Sequence, residues 1–329
     1  MFIIAEAGVN HNGDIRLAQK LIEAAKAAGA DAVKFQTFKA ERLVTENAPK
    51  ADYQKKTTLK NESQFSMLKK LELSFADHKV LFDTCRKKKI IFISSPFDQE
   101  SADLLAALGV KILKIPSGEI TNTPFLTYLA KKGQPLILST GMSTLEEVKQ
   151  AVSILSKAGK SRLALLHCVS QYPAPFNQVN LMAIPTLAKN FDVPIGFSDH
   201  TMGVEAAIGA VVLGARIIEK HLTLDRKMKG PDHKVSLTPD EFRYMVECIR
   251  HVEQALGNGI KKPAACERDT RRMVRKSIVA AVAIREGEKF SAGNLTVKRP
   301  GYGIAANRWS MILGTKAKRD FQENELIEV

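Results

Sequence analysis

Short apolar runs rich in β-branched residues recur along the first two-thirds of the chain, and between them apolar positions fall at helical spacing. Eight such runs precede residue 225: 2–7, 32–37, 90–95, 112–117, 136–140, 163–168, 193–199 and 216–222. Near-continuous hydrophobicity over so few residues marks a strand buried on both faces. Segments 15–28, 63–88, 101–108, 144–157, 180–189 and 204–213 read instead as amphipathic helices, and a last one, 239–256, follows the eighth run. Strand–helix alternation carried through eight times predicts parallel strands with crossover helices. Eight units ending near residue 256 match an α/β (β/α)₈ TIM barrel, typically of about 250 residues. A doubly wound open sheet is the alternative, but no G-x-G-x-x-G follows the first strand.

Two stretches break the rhythm. Residues 38–64 form a long polar insert after the second strand, and long loops in compact domains usually act as lids or mobile segments. Residues 258–276 are rich in Gly, Pro and charge and read as a linker. The expected organisation is a catalytic barrel at 1–257, a linker at 258–276 and a small domain at 277–329 with β-like runs SIVAAVAI, LTVKRPG and ELIEV. A domain of that size is expected to lean on the barrel or on a second subunit.

Composition changes this picture in one respect only. The chain has 329 residues, 45% hydrophobic and 26% charged, which excludes disorder and collagen-like repeats. No stretch approaches the roughly 18 apolar residues of a membrane helix; 206–215 is the longest candidate. The opening MFIIAEAGVN has no basic leader, and the four cysteines are scattered without a C-x-x-C pair. The expectation is a cytoplasmic protein with reduced thiols and no membrane partner. The departure is a net charge of +14. Its basic clusters, such as Lys69-Lys70, Lys87 to Lys89 and Arg271-Arg272, are short and dispersed, with aromatics at 6% and no nucleic-acid motif beside them. Most are expected to be solvated helix faces, so the field suits an anionic small substrate better than nucleic acid.

In a TIM barrel the chemistry gathers where strands end and βα loops begin. Here those ends are repeatedly polar. Strand 1 ends at Glu6; strand 2 carries Lys34 and Gln36 on one face by two-residue alternation. Strand 3 ends SSPFD, and strand 4 delivers Lys114, Ser117 and Glu119. Strand 5 ends STGM, strand 6 LHCVSQYPAP, strand 7 GFSDHT, and strand 8 IEKHLTLDR before GPDH. An unpaired cation on a barrel strand is costly, so Lys34 and Lys114 point to function. His167 fits a core histidine as well as a site residue, whereas His78 and His251 read as surface. His200 and His221 end adjacent strands, and two converging imidazoles suit a divalent metal, although no H-x-x-H spacing singles one out. The turns SGE, STGM and GPDH are tight turns by default; beside Lys114, Ser117, Ser139 and Ser198 they could also offer donors to a phosphate.

Taken together, AEAGVNHNGD, KFQT, IFISSPF, KIPSGEITN, LSTGMS, LHCVSQYPAP, GFSDHT, IEKHLTLDR, GPDH and KRPGYGI resemble, in order and spacing, the sialic acid synthase family. The likeness spans essentially the whole chain. It implies a (β/α)₈ barrel with a C-terminal antifreeze-like (SAF) domain and a domain-swapped homodimer. The implied reaction joins phosphoenolpyruvate to N-acetylmannosamine, or a related acylamino sugar, giving a nine-carbon 2-keto acid and phosphate. By the same resemblance His200 and His221 bind Mn²⁺ or Mg²⁺, and Glu6 is the catalytic acid-base beside Lys34 and Lys114. Lys34 and Ser95 lie near the donor carboxylate, while Lys114, Ser117, Ser139 and Ser198 hold its phosphate. Ser170 stands where some members carry Asn near that phosphate and can still donate. Gln36, Glu119, Tyr172 and Asp232 surround the sugar, and Arg299 reaches its N-acyl group from the partner subunit. His233 has no universal counterpart in the family and is left out of the implied metal site. The implied chemistry is attack by carbon 3 of the donor on the open-chain aldehyde, with metal Lewis acidity at its oxygen, then water addition at carbon 2 and C–O cleavage. A legionaminic or pseudaminic acid synthase acting on a 2,4-diacetamido sugar is the alternative within the class. A non-catalytic sugar- or nucleic-acid-binding module is the alternative outside it, opposed by the intact set Glu6, Lys34, Lys114, His200 and His221. No additional phosphate-binding cluster appears, which favours an unphosphorylated acceptor.

Overall fold

Eight strands close on themselves in chain order: β1 (Phe2–Gly8), β2 (Ala32–Thr37), β3 (Ile91–Pro96), β4 (Leu113–Ile115), β5 (Leu136–Ser139), β6 (Leu163–Cys168), β7 (Ile195–Asp199) and β8 (Ile217–His221). All neighbours are parallel, and β8 pairs back onto β1. The computed structural model describes residues 1–58, 62–159 and 162–329. Between strands run α1 (Ile15–Ala27), the insert helices α2 (Ala40–Leu43), α3 (Asp52–Thr57) and α4 (Gln64–Lys69), then α5 (Phe75–Lys88), α6 (Gln99–Ala107), α7 (Thr123–Lys131), α8 (Leu145–Ala158), α9 (Ala183–Asn190) and α10 (Glu205–Val212). A final helix of this unit, α11 (Pro239–Ala255), follows β8.

The barrel interior has two layers, and the two-residue period of a strand writes both. Ile4, Ala32, Ile93, Ile137, Ala164, Leu166 and Ile217 fill the lower layer as one apolar cluster. Two residues further along the strands the same face turns polar: Glu6 after Ile4, Lys34 after Ala32, Ser95 after Ile93, Ser139 after Ile137, Cys168 after Leu166 and Glu219 after Ile217. Residues of opposite parity, such as Ile3, Val33, Phe35, Leu138, Phe197 and Ile218, face outward and pack with the helices in the large core.

Some sequence expectations change. The single helix expected over 63–88 is two helices, α4 and α5, because Ser74 and Asp77 form a capping box that starts a new helix. Helix α7 was not expected at all; Asn122 caps it through Phe125 N–H, Pro124 opens it, and Phe125, Leu126, Leu129 and Ala130 are its buried stripe. Its nine residues follow so closely on the polar end of β4 that the apolar pattern is easily absorbed into the loop. Of the insert, residues 59–61 lie outside the described residues, and the remainder carries α2, α3 and the start of α4.

His78, expected at the surface, is buried. Its Nδ1–H donates to the Ser74 carbonyl at 2.8 Å and its Nε2 accepts from Thr37 at 2.9 Å, tying α5 to β2. His251 is exposed, as expected, and so are Lys69-Lys70, Lys87 to Lys89 and Arg271-Arg272. None of the four cysteines is paired, and among the described residues no helix is long and apolar enough to cross a membrane.

Contacts divide the chain into units 1–257 and 258–329. The second carries α12 (Arg268–Val274), an antiparallel pair β9 (Ser277–Ala280) and β10 (Leu295–Lys298), and α13 (Trp309–Ile312). It has a small core of its own, including Ile278, Phe290, Leu295, Ile312 and Phe321.

On the outer face of β8, fully buried Lys220 sits 2.7 Å from Asp199 and donates to the Thr201 carbonyl at 2.6 Å. Asp199 in turn accepts from the Thr201 N–H and hydroxyl, both at 2.8 Å. This fixes the backbone on either side of His200. Lys220→Met strands the Asp199 charge without its cation, and removing one partner of such a buried pair typically costs about 3–5 kcal/mol. A marked fall in the thermal midpoint of the variant is expected; an unchanged midpoint would contradict this account.

Candidate active site

The polar interior layer opens into a cavity of about 410 Å³ at the C-terminal ends of the strands. The site is assembled from strand register. Glu6 on β1 is the paired residue of Lys34 on β2 and of His221 on β8. Gln36 pairs with Ser95, and Ser198 pairs with both Cys168 and Glu219. A bulge between Glu6 and Gly8 ends β1 with Gly8 at φ +49°, turning the chain into its loop directly beyond Glu6.

Four charged residues, each at most 4% exposed, form the floor. Lys34 Nζ lies 2.7 Å from Glu6 Oε2 and 3.9 Å from Glu219 Oε1. Lys114 Nζ lies 3.8 Å from that same Glu219 oxygen and donates to Ser139 Oγ at 2.6 Å. Ser198 donates to Glu219 Oε1 at 2.8 Å, and Lys34 reaches Ser95 Oγ at 3.4 Å. Two cations and two anions thus share the floor. Burial works against the charge of Lys34, but Glu219 and Glu6 outweigh it and hold the ammonium pKa above its usual value. Lys114, buried with Glu219 as its chief counter-charge, is lowered. Burial also lifts Glu6 to about 7 against the pull of Lys34, while Glu219 falls because Lys114 and Lys34 overcome its own desolvation.

Beside this floor, Ser117, Ser139, Ser170 and Ser198 all line the cavity. The Gly141 N–H donates to Ser117 Oγ at 2.9 Å, and Ser117 Oγ is 3.2 Å from Cys168 Sγ. This approach requires glycine: a Cβ at Gly141 would fall 2.3 Å from Ser170 Oγ, 2.8 Å from Ser117 Oγ and 2.9 Å from Cys168 Sγ.

His200 and His221 complete the wall, with ring centroids 5.6 Å apart. The Tyr172 ring lies 4.2 Å from His200 and edge-on to His221 at 5.7 Å. Because the Val169 carbonyl can only accept, His200 Nδ1 carries the proton at 2.7 Å from it and Nε2 keeps a lone pair. His221 Nδ1 is buried without a hydrogen-bond partner. Burial pushes His200 down to about 4, and burial together with His200 holds His221 well below its ordinary value. Two neutral imidazoles with an orphaned buried nitrogen fit a divalent cation, neutral imidazole being the ligating form. Among the described residues no group of three His, Cys, Asp or Glu side chains gathers around a metal position, so water or substrate would fill the other positions.

Of the residues singled out from sequence, Glu6, Lys34, Gln36, Ser95, Lys114, Ser117, Ser139, Ser170, Tyr172, Ser198, His200, His221 and Asp232 line this one cavity. Asp232, buried, has its carboxyl raised to about 6 by desolvation. Glu119 does not line the cavity, although the neighbouring Gly118 does; its carboxylate accepts from Asn122 Nδ2 at 2.6 Å. Arg299 is exposed in the second unit, just after β10. His167 bonds the Val179 carbonyl at 2.7 Å, stacks on Phe197 and does not line the cavity. His233 is held between Thr223 and Asn12. Sequence reasoning overlooked Glu219, although its position two residues before His221 puts it on the same strand face. It also overlooked Gln54 and Gln64 of the insert, which carry no comparable signal.

The fold and the cavity together define a TIM barrel with a pocket of buried lysines, carboxylates, hydroxyls and paired imidazoles at the C-terminal ends of its strands. Comparison with known proteins gives the family. The NeuB family model matches residues 21–261 and the SAF domain model matches 275–328. The N,N'-diacetyllegionaminic acid synthase of Campylobacter jejuni is 53% identical over 99% of this chain and 98% of its own. The enzyme of the same name from Legionella pneumophila is 49% identical over 96% of this chain and 90% of its own. The crystal structure of the N-acetylneuraminic acid synthetase of Leptospira borgpetersenii in complex with citrate superposes with a TM-score of 0.72 at 38% identity, covering 82% of this chain and 89% of that one. The chain belongs to the NeuB family, the sialic acid synthase family that its motifs resemble, and is an enzyme.

Gly141→Ala tests the serine cluster. Displacing Ser117 and Ser170 by an ångström or so is expected to lower turnover by about 100-fold. Circular dichroism should show the barrel intact, and full turnover in this variant would contradict the tight approach.

Proposed function

We propose that the enzyme condenses phosphoenolpyruvate with an open-chain acylamino aldose and water, releasing phosphate and a nine-carbon 2-keto sugar acid. The observation that carries this reading is the floor of Lys34, Lys114, Glu6 and Glu219 ringed by serine hydroxyls and facing two neutral imidazoles. Phosphoenolpyruvate brings a carboxylate and a phosphate to one small molecule, and two buried ammonium groups with hydroxyl donors complement both. Lys34 with Ser95 would face the carboxylate, and Lys114 with Ser117, Ser139, Ser170 and Ser198 the phosphate.

In this reading the lysines screen the donor's charges from each other and hold its carbon 3 against the aldehyde carbon. Bringing two reactants to that geometry can supply about 7–11 kcal/mol of the barrier. His200 and His221 would hold a divalent ion, which supplies Lewis acidity toward the aldehyde oxygen when bound. The new C–C bond forms as carbon 3 attacks, leaving carbon 2 electron-poor. Glu6, with its carboxyl near 7, takes the proton that water loses as it adds to carbon 2. The alkoxide left on the former aldehyde oxygen takes that proton from Glu6, and the tetrahedral centre expels phosphate by C–O cleavage, its hydroxyl proton leaving with the phosphate as the centre becomes the ketone. Gln36, Tyr172 and Asp232 would orient the sugar. We infer in addition that a second copy of the chain supplies Arg299 to the acceptor's acyl group.

The relatives favour one acceptor over the N-acetylmannosamine suggested by the motifs. Two of them, at 53% and 49% identity, are named for a product with two N-acetyl groups, which supports an aldose bearing two acylamino substituents. The test is phosphate release from phosphoenolpyruvate with Mn²⁺ and either N-acetylmannosamine or a 2,4-diacetamido counterpart, with the product mass recorded. Release is expected only with both substrates and the ion present, and His200→Ala or His221→Ala should abolish it. Undiminished turnover after exhaustive chelation or in either variant would refute the metal role.

A further inference from the structure

The floor of the cavity is ionic, but the wall on the side of α3 and α4 is not. Gln54 of α3 and Gln64, Met67 and Leu68 of α4 line it, together with Leu71 and Phe97. Gln64, Met67 and Leu68 occupy positions i, i+3 and i+4 of α4 and therefore share one helix face. Met67 and Leu71 are buried in a cluster with Phe38 and with Val9, which also lines the cavity, and Leu68 and Phe97 pack against it. Leu68 and Phe97 are only half-buried. None of these six residues bears a charge.

A hydroxyl-covered sugar gains little from methionine and leucine, since each hydroxyl turned toward them loses a hydrogen bond to water. An acylamino group differs, because it is a planar amide ending in a methyl. Carboxamides beside an apolar surface match both parts, hydrogen bonds for the amide and contact area for the methyl. We propose that this wall is the subsite that reads the second acylamino substituent of the acceptor and so sets its preference for a diacylated over a monoacylated aldose. The inference rests on the condensation proposed above and assigns Gln64 and Leu68 as specificity-determining residues.

The test compares full-length wild type with Gln64→Leu and Leu68→Asn, using phosphoenolpyruvate, Mn²⁺ and two acceptors, N-acetylmannosamine and its 2,4-diacetamido counterpart. Wild type is expected to prefer the diacetamido sugar. In each variant the ratio of kcat/KM between the two sugars should fall by about 10-fold, the scale on which a pocket reads one small apolar group. The change should appear in the KM of the sugar, with the KM for phosphoenolpyruvate moving by less than about twofold. An unchanged ratio in both variants would overturn the assignment, as would an equal rise in the KM for phosphoenolpyruvate. A second measurement needs no variant: saturation-transfer NMR of the diacetamido sugar on wild type should show strong transfer to both acetyl methyls, and transfer to one alone would count against the wall. If wild type releases no phosphate with either sugar, the condensation itself fails, a result distinct from turnover without discrimination.

Discussion

The constraint on which this molecule turns is that charge inside a barrel must be neutralised by charge inside the same barrel. Lys34 and Lys114 sit on interior strand positions where water cannot screen them, and each bare ammonium there would be prohibitive. Glu219 answers both lysines from one oxygen, and Glu6 answers Lys34 more closely. The floor therefore sets two lysines against two carboxyl groups and is locally polarised. An arriving dianion can compete with the carboxylates for the lysines, so the charges are preorganised before anything binds. The apolar layer beneath, from Ile4 to Ile217, keeps this arrangement dry from below.

Around that floor the protein separates its tasks by strand and by loop. Strand ends deliver charge, hydroxyls and imidazoles, where backbone pairing holds each side chain in register. The irregular insert after β2 contributes a neutral face from α3 and α4. Loops can vary while the strand-borne part is kept, the division of labour that the barrel fold allows. The buried Lys220–Asp199 pair belongs to the rigid part, since it braces the turn bearing His200 from the outer side of the sheet.

How much of this was legible beforehand differs from residue to residue. Strand alternation alone put Lys34 and Gln36 on one face, and the polar ends of all eight runs marked the mouth of the barrel. Glu219 could have been found by the same parity rule from His221, but a carboxylate inside an apolar run reads at first as an outward residue. His78 is misread because its helix looks polar, whereas its ring is enclosed between Thr37 at the end of β2 and the Ser74 carbonyl at the start of its own helix. Helix α7 escaped because its cap, Asn122, follows so closely on the polar end of β4.

By itself, the sequence determined the barrel and the polar residues at its mouth, because both are written in local periods: two residues along a strand, about 3.6 along a helix, and polar types where runs end. Only the tertiary structure decided which charges meet, that Glu219 bridges two lysines, that Gly141 must lack a side chain, and that Gln64 and Leu68 share a cavity with Lys34. Those are contacts between segments distant in the chain. No local pattern encodes a distance across a closed barrel, and it is closure that brings them together.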